Sequence, residues 1–289
     1  MRVLKWAGLA LGAVLVLAVI GGFVASRVGA SKIAAVHDVP VAALAIPTDS
    51  AAVARGAHLA GIYGCRDCHG DGLAGRVMAD EGPARIVAPN LTPAGVGGAY
   101  EPADWDRAIR HGVGLDGTAL FVMPSGAYHA VSDAETADLI AYLETLAPVE
   151  NALPPMEYTL LGRLLAAGPL DLAGGVHPEP TPASSPAPGA TVAYGEYVAS
   201  GMCAYCHGEG LVGKESDQPG APFAPDLAAA GQWDPDQFHT ALTTGVTPRG
   251  HQMDPEFMPW TATGRMTHEE REGLRLYLAT LLARRNADA

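Results

Sequence analysis

The sequence predicts an all-α protein, two tandem copies of one small helical domain behind an N-terminal transmembrane helix. Three observations carry this expectation. The stretch Cys65-Arg66-Asp67-Cys68-His69 returns as Cys203-Ala204-Tyr205-Cys206-His207, and the two hold all 4 cysteines of the 289-residue chain. The sequence around each stretch repeats with it, which means two copies of one fold, each with its own core. Finally, no charge interrupts the run from Trp6 to Ser26, about the length of helix that a bilayer core requires.

Composition narrows the function classes. A net charge of −13 makes nucleic acid an improbable partner, because phosphate neutralisation needs Lys and Arg. An acidic surface suits a basic partner or plain solubility. Aromatic content of 6% is low, and 35 Gly and 23 Pro imply many turns. A domain of that composition gains from a bound apolar group that supplies the surface its side chains lack.

In chain order, residues 1–30 form the expected anchor or uncleaved signal. Arg2 and Lys5 stay cytoplasmic by the positive-inside rule, and everything from about residue 30 lies outside. Val28-Gly29-Ala30 has the small residues of a cleavage site, but the uncharged run is long for a signal peptide. Pro40 and Pro47 then make 31–50 a short tether.

The first unit spans 51–170. Ala51 to Ile62 reads as a helix in which Gly56 and Gly61 allow another helix to come close. Gly and Pro dominate 70–99, which reads as loop. Pro102 to His111 is a helix with Trp105, Ala108 and Ile109 on its apolar face. A loop with Met123-Pro124 follows. Ser132-Asp133-Ala134-Glu135 is a capping box that opens a helix with Leu139, Tyr142, Leu143 and Leu146 at helical spacing, stopped by Pro148.

Residues 171–191, with Pro178, Pro180, Pro182, Pro186 and Pro188, form a Pro-rich linker of semi-extended character. The second unit, 192–285, repeats the first. Gly195 to Gly213 echoes Gly56 to Gly75 with one residue fewer before the first cysteine, and Ala224-Pro225-Asp226-Leu227 echoes Ala88-Pro89-Asn90-Leu91. Phe238 takes the place of Trp105. Thr267-His268-Glu269-Glu270 repeats the capping box, and Leu274, Tyr277, Leu278 and Leu281 repeat the closing apolar set.

The paired motifs carry the chemistry. Cys-x-x-Cys-His is the signature of covalent haem attachment: each thiol adds to one vinyl group and the imidazole is held beneath the iron. Zinc would need two Cys-x-x-Cys pairs about 15–20 residues apart, and these lie much further apart, each with its own histidine. The reading is two covalently attached haem c groups, on Cys65, Cys68 and His69 and on Cys203, Cys206 and His207.

Each iron then needs a sixth ligand or keeps an open site, and that decides between electron transfer and small-ligand chemistry. In the first unit Met123 leads over Met78, His111 and His129, since it sits in a loop before the closing helix. In the second, Met258 leads over Met253, His251 and Met266, because Met258-Pro259 aligns with Met123-Pro124. Arg110 and Arg249 are candidates for haem propionates or ordinary solvated arginines, and His111 for a surface or propionate neighbour. Trp105 and Trp260 pack against porphyrin or core. Glu135 and Glu270 are caps.

The two Cys-x-x-Cys-His motifs, Pro89-Asn90-Leu91-Thr92, the Met-Pro pairs and the closing Tyr-Leu helices resemble the class I cytochrome c family twice over, at 51–147 and 192–283. Within it, Arg110-His111-Gly112 through Met123-Pro124-Ser125, and Met258-Pro259-Trp260, look like the cytochrome c subunits of membrane-bound alcohol and gluconate dehydrogenases. Those subunits usually carry three haem motifs; this chain has two. The resemblance implies two cytochrome c domains, each a few helices wrapped round a haem, on the periplasmic side of a bacterial inner membrane. It further implies electron transfer from a dehydrogenase or quinol-oxidising complex to an oxidase or soluble cytochrome. A dihaem enzyme such as a peroxidase, or a haem-bearing structural subunit of a respiratory complex, is the alternative. No cysteine is left to serve as an axial ligand.

Overall fold

Glycines decide where the helices meet. In the computed structural model, which describes residues 2–216 and 220–287, α2 (Ser50–Ile62) crosses α6 (Asp133–Glu144) with Gly56 at the contact. A Cβ there would lie 2.0 Å from the Asp138 carbonyl oxygen. The second half repeats this crossing. Helix α8 (Val192–Val198) meets α12 (His268–Ala287) at Gly195, where a Cβ would lie 1.9 Å from the Gly273 carbonyl oxygen. Met1 of the expected anchor, residues 217–219 of the second unit and residues 288–289 lie outside the described residues.

Between these crossing helices each half carries the same parts in the same order. The first has α3 (Cys65–His69), α4 (Pro102–His111) and α5 (Ser125–Tyr128). The second has α9 (Ala204–His207), α10 (Pro235–Thr244) and α11 (Trp260–Thr263). The cores correspond as well. Ala60, Leu73, Trp105, Ile109, Leu139 and Leu143 in one are matched by Ala199, Leu211, Phe238, Leu242, Leu274 and Leu278 in the other. Each large side chain buried this way contributes about 1.5–3 kcal/mol. The molecule is mostly helical, as the sequence predicts.

Both predicted helix starts are capped, but only the second capping box closes: the Thr267 N–H donates to Glu270 at 2.7 Å, whereas the Ser132 N–H goes to the Tyr197 hydroxyl at 2.9 Å. Ser132 Oγ accepts from the Glu135 N–H at 3.3 Å, and Thr267 Oγ1 accepts from the Glu270 N–H at 3.2 Å.

Three stretches depart from expectation. Within the supposed loop 70–99, β1 (Arg76–Glu81) and β2 (Ala84–Ala88) form an antiparallel hairpin, and β3 (Glu157–Tyr158) adds a third strand beside β2. Val77, Ile86 and Val87 favour strand, and Gly82, at φ +72°, opens the two-residue turn with Pro83.

The tether at 31–50 is docked on the first half. His37 N–H donates to Gly117 O at 2.8 Å, Ala42 N–H to Asp106 Oδ2 at 2.9 Å, and Val39 is buried. The Pro-rich stretch is strapped down too. His177 N–H donates to His111 O at 3.1 Å and Asp133 N–H to Pro182 O at 2.9 Å. Extended proline backbone leaves its carbonyls unpaired, and the first half uses them.

The apolar run after Pro154-Pro155 forms α7 (Leu160–Ala167), capped by Thr159 Oγ1 accepting from Gly162 N–H. It packs on the end of α1 (Arg2–Ile33), where a Cβ on Gly29 would lie 1.7 Å from Arg163 O. The rest of α1 is long and apolar enough to cross a membrane and buries none of that span against the protein.

The halves meet through a shared apolar cluster: Leu59 and Ile62 from α2 with Tyr194, Val198 and Met266 from the second half, all buried. The contacts around it are reciprocal. His58 Nε2 pairs with Glu270 at 2.9 Å, while Tyr197, in the register of His58, donates to Glu135 at 2.5 Å, in the register of Glu270. Near these pairs, though not in matching register, Gly61 lies against the Arg265 side chain and Gly201 against Ala127 O and Ala130. Residue i touching j′ while i′ touches j is the signature of an isologous two-fold interface, here built within one chain.

Candidate functional site

The backbone after each motif turns by the same unusual route. Gly70 and Gly208 take φ +80° and +79°, and Leu73 and Leu211 take φ +55° and +58°. These leucines are the only non-glycine residues with positive φ among the described residues, so each corner holds a strained residue. Gly75 N–H donates to His69 O at 2.8 Å, and Gly213 N–H to His207 O at 2.9 Å. Leu91 N–H then closes onto Leu73 O, as Leu227 N–H closes onto Leu211 O.

That closure brings a proline carbonyl under each histidine. His69 Nδ1 donates to Pro89 O at 2.8 Å, and His207 Nδ1 to Pro225 O at 2.7 Å. With its Nδ1 proton engaged, each ring presents the lone pair of Nε2 and cannot swing, which is how protein carbonyls orient a ligating histidine. Burial lowers the pKa of both rings, against the pull of those carbonyls, and holds them neutral.

All four cysteines are free. Burial first, and then the neighbouring motif cysteine, pushes the Cys65 and Cys203 thiols up to about 12. Burial raises Cys68 and Cys206 as well.

The predicted sulfur residues are set alike in both halves. Pro124 (φ −79°, ψ 56°) and Pro259 (φ −76°, ψ 62°) each centre an inverse γ-turn. Ser125 N–H donates to Met123 O at 2.8 Å, and Trp260 N–H to Met258 O at 2.7 Å. Met123 and Cys65 pack against the first-half core; Met258 and Cys203 pack against the second.

The competing candidates stand elsewhere. Met78 is on the exposed strand β1, Met266 is buried between the halves, and His251 is exposed. Met253 is half-buried, and its carbonyl accepts from Trp260 Nε1 at 3.0 Å. His129 donates from Nδ1 to Arg110 O at 3.1 Å.

Two sequence readings are corrected. Arg110 is not a solvated arginine: it is fully buried, with Nε on Asp106 Oδ1 at 2.5 Å and Nη1 on Val131 O and Asp133 Oδ1. A charge buried to that degree needs these partners, and they tie α4 to the start of α6. His111 is not at the surface. It is 1% exposed, Nδ1 donates to His177 O at 2.5 Å, and its ring lies 5.6 Å from that of His129. Arg249 is exposed, and Trp105 is buried in the core against Tyr100.

The corner prolines, whose carbonyls hold the imidazoles, and the positive-φ leucines were given no role by the motif reading. The echo of Ala88-Pro89-Asn90-Leu91 in Ala224-Pro225-Asp226-Leu227 was the signal for the prolines, and the echo of Gly56 to Gly75 in Gly195 to Gly213 the signal for the leucines. Free thiols at the right spacing, an imidazole fixed by its Nδ1 proton and a sulfur on the same core fit a covalently bound haem in each half.

Comparison with known proteins agrees. The family described as cytochrome c oxidase, cbb3-type, subunit III matches residues 51–143 and again 190–278. The alcohol dehydrogenase (quinone) cytochrome c subunit of Gluconacetobacter polyoxogenes is 29% identical over 231 residues, 68% of this chain and 48% of that protein. The fructose dehydrogenase cytochrome subunit of Gluconobacter japonicus is 33% identical over 112 residues, 35% of this chain and 23% of that protein. A diheme cytochrome c-type protein of Cereibacter sphaeroides is 28% identical over 230 residues, 67% of this chain and 73% of that protein. The chain spans about half the length of the alcohol dehydrogenase subunits it matches.

Proposed function

Because the chain belongs to the c-type cytochrome family described as cytochrome c oxidase, cbb3-type, subunit III, we propose that each half is an independent one-electron carrier. It carries two covalently attached haem c groups and works in electron transfer. In our reading Cys65, Cys68 and His69 hold one haem and Cys203, Cys206 and His207 the other, with Met123 and Met258 as the opposite axial ligands. The observation that carries this is the duplicated geometry: the same histidine-to-proline-carbonyl bond and the same Met-Pro γ-turn in both halves.

Haem supplies the one-electron chemistry, and the chain supplies ligation, burial and spacing. Pro89 and Pro225 orient the imidazoles. The γ-turns present sulfur, which favours the reduced iron and raises its potential. A protein with two such saturated sites carries electrons rather than turning over a substrate.

The partner is a dehydrogenase on the donor side and an oxidase or soluble cytochrome on the acceptor side, by likeness to the cytochrome subunits above. The chain sits at the periplasmic face of the inner membrane, held by α1. The seat of Gly29 on α7 supports a retained helix, because cleavage after Ala30 would remove that contact and bare α7. Charge does not set the side, since Arg2 and Lys5 at one end are balanced by Arg27 and Lys32 at the other. Covalent haem attachment, a periplasmic process in this family, supports the outer face.

The test is to solubilise native membranes gently, purify the chain through a C-terminal tag and identify what comes with it. A dehydrogenase subunit, and haem bands that sharpen when its sugar or alcohol substrate is added, are the expected result. A chain that extracts without detergent and is reduced by no co-purifying enzyme would overturn this function.

A further inference from the structure

Helix α7 buries only part of its surface. Gly162 sits on the hairpin tip at Pro83 O and Ala166 is buried. Leu160 and Leu161 are 58% and 51% exposed, and Met156, just before the helix, is 40% exposed. An apolar face of this kind, in a chain that is otherwise acidic, needs an occupant.

Two observations point to which one. First, the face is continuous with the lipid-facing surface of α1. Gly29 packs on the turn Arg163–Ala167, Lys32 Nζ donates to Ala167 O at 3.3 Å, and Gly22, Ala25, Ser26, Ala30 and Ile33 make a half-buried stripe along α1. That stripe reaches into the uncharged run ending at Ser26, so the contact begins beside the span. Second, the two helices themselves carry charge of one sign, with Glu157 and Asp171 lying outside them. Against a net charge of −13, α1 and α7 contain no acidic residue. Arg27, Lys32 and Arg163 gather where the two helices join, and Arg27 and Arg163 are exposed.

We propose that α7 is a second membrane contact, lying in the bilayer interface with Leu160 and Leu161 among the acyl chains and Arg27, Lys32 and Arg163 at the phosphates of anionic phospholipid. Short helices with apolar residues on one side and cations beside them bind bilayers this way. The contact fixes the first half, and with it the Cys65–His69 corner, against the membrane instead of leaving it to swing on a tether. This inference rests on the reading of α1 as a retained anchor.

The test uses the full holoprotein in vesicles of phosphatidylethanolamine and phosphatidylglycerol containing spin-labelled lipid. Single added cysteines carry a nitrobenzoxadiazole fluorophore at Leu161→Cys, at Val16→Cys within α1 and at Val122→Cys on an exposed loop. An unchanged haem spectrum in each variant checks folding. The expected result is lipid quenching and blue-shifted emission at 161 and 16, and neither at 122. Quenching at 16 with a 161 probe that behaves like 122 would overturn the inference and leave the anchor reading intact; a protein partner would then be what covers α7. No quenching at either position would overturn both, and quenching at 161 alone would overturn the inference as stated, because the span it is continuous with would be absent from the bilayer.

Discussion

The two halves share one plan, yet the same carboxylate is shifted in opposite directions in each. Glu135 and Glu270 both open their closing helices and both are buried, at 8% and 4% exposure. Glu135 accepts from two phenols, Tyr197 at 2.5 Å and Tyr63 at 3.2 Å. Burial raises its pKa, and those neutral donors do not offset it. Glu270 is pushed up by burial too. But His58, together with the Thr267 N–H at 2.7 Å, brings it below the usual carboxylate range. One register position decides this: the first half offers a histidine across the interface where the second offers a tyrosine. A repeat preserves geometry more faithfully than charge.

The halves differ again just before the first cysteine. Gly64, at φ +72°, breaks the first helix into α2 and α3, whereas Met202 stands in its place in the second half. A methionine does not readily take positive φ, so the chain stays helical and widens into a π-turn over Ala199–Cys203.

The comparison breaks most sharply at the helix crossings. Gly56→Ala or Gly195→Ala would drive a methyl group into a backbone carbonyl, and each should cost about 3 kcal/mol, read as a drop in thermal midpoint. Gly61→Ala is the control. Its Cβ would meet only the Arg265 side chain, Cδ at 3.3 Å and Cβ at 3.9 Å, and the substitution should change little. Equal losses at all three positions would show that close approach is not what the glycines provide.

Next come the two carboxylates. Glu270→Gln should cost about 2 kcal/mol, the range for a hydrogen bond to a charged group, and Glu135→Gln less than about 1 kcal/mol because an amide oxygen still accepts from both phenols. The pH dependence follows from the signs. His58 is raised, first by its bond to Glu270, so its contribution is complete below about pH 6.5 and fades as pH climbs through the higher folded value. Glu270 is lowered, so its contribution stands above the usual glutamate value and is lost as pH falls through the folded one. The cost of Glu270→Gln should therefore peak between about pH 4.3 and 6.5. Glu135 is raised, so its contribution is lost as pH rises, and Glu135→Gln should gain on the parent toward neutral pH. Chemical denaturation across pH 4–8 (on the order of four units, enough to span both ordinary pKa values) separates the two. Identical profiles would erase the distinction between the halves.

The smallest effect belongs to Arg265 and Asp67, which join the second half to the first motif at 2.9 Å with both side chains about one-third exposed. Arg265→Ala should cost at most about 1 kcal/mol, and less in high salt. A cost several times larger would mean the interface is held by charge rather than by its apolar cluster.

Much of this fold was legible in the sequence. Apolar spacing gave the helices, Gly56 marked a crossing and the duplicated motifs gave the two cores. The hairpin at 76–88 was hidden because Gly82, Pro83 and Pro89 make the stretch look like loop by composition, although Val77, Ile86 and Val87 around a two-residue turn were a strand signal. The docking of 31–50 and of the Pro-rich strap rests on scattered hydrogen bonds to distant backbone and side chains, which have no local pattern. The burial of Arg110 is likewise a tertiary fact. The reciprocal interface left a faint trace: His58 and Tyr197, and Glu135 and Glu270, occupy matching places in the repeat.

The most direct test is potentiometric titration of the purified dihaem protein beside Met123→His and Met258→His. If each half holds its iron between its motif histidine and its own methionine, each variant keeps both haems and lowers one of the two potentials. The drop should be a sizeable part of the roughly 0.8 V window that axial ligands command, with the other wave unmoved. Two waves unchanged in both variants would contradict the ligand assignment, and with it the claim that the halves are two copies of one haem site.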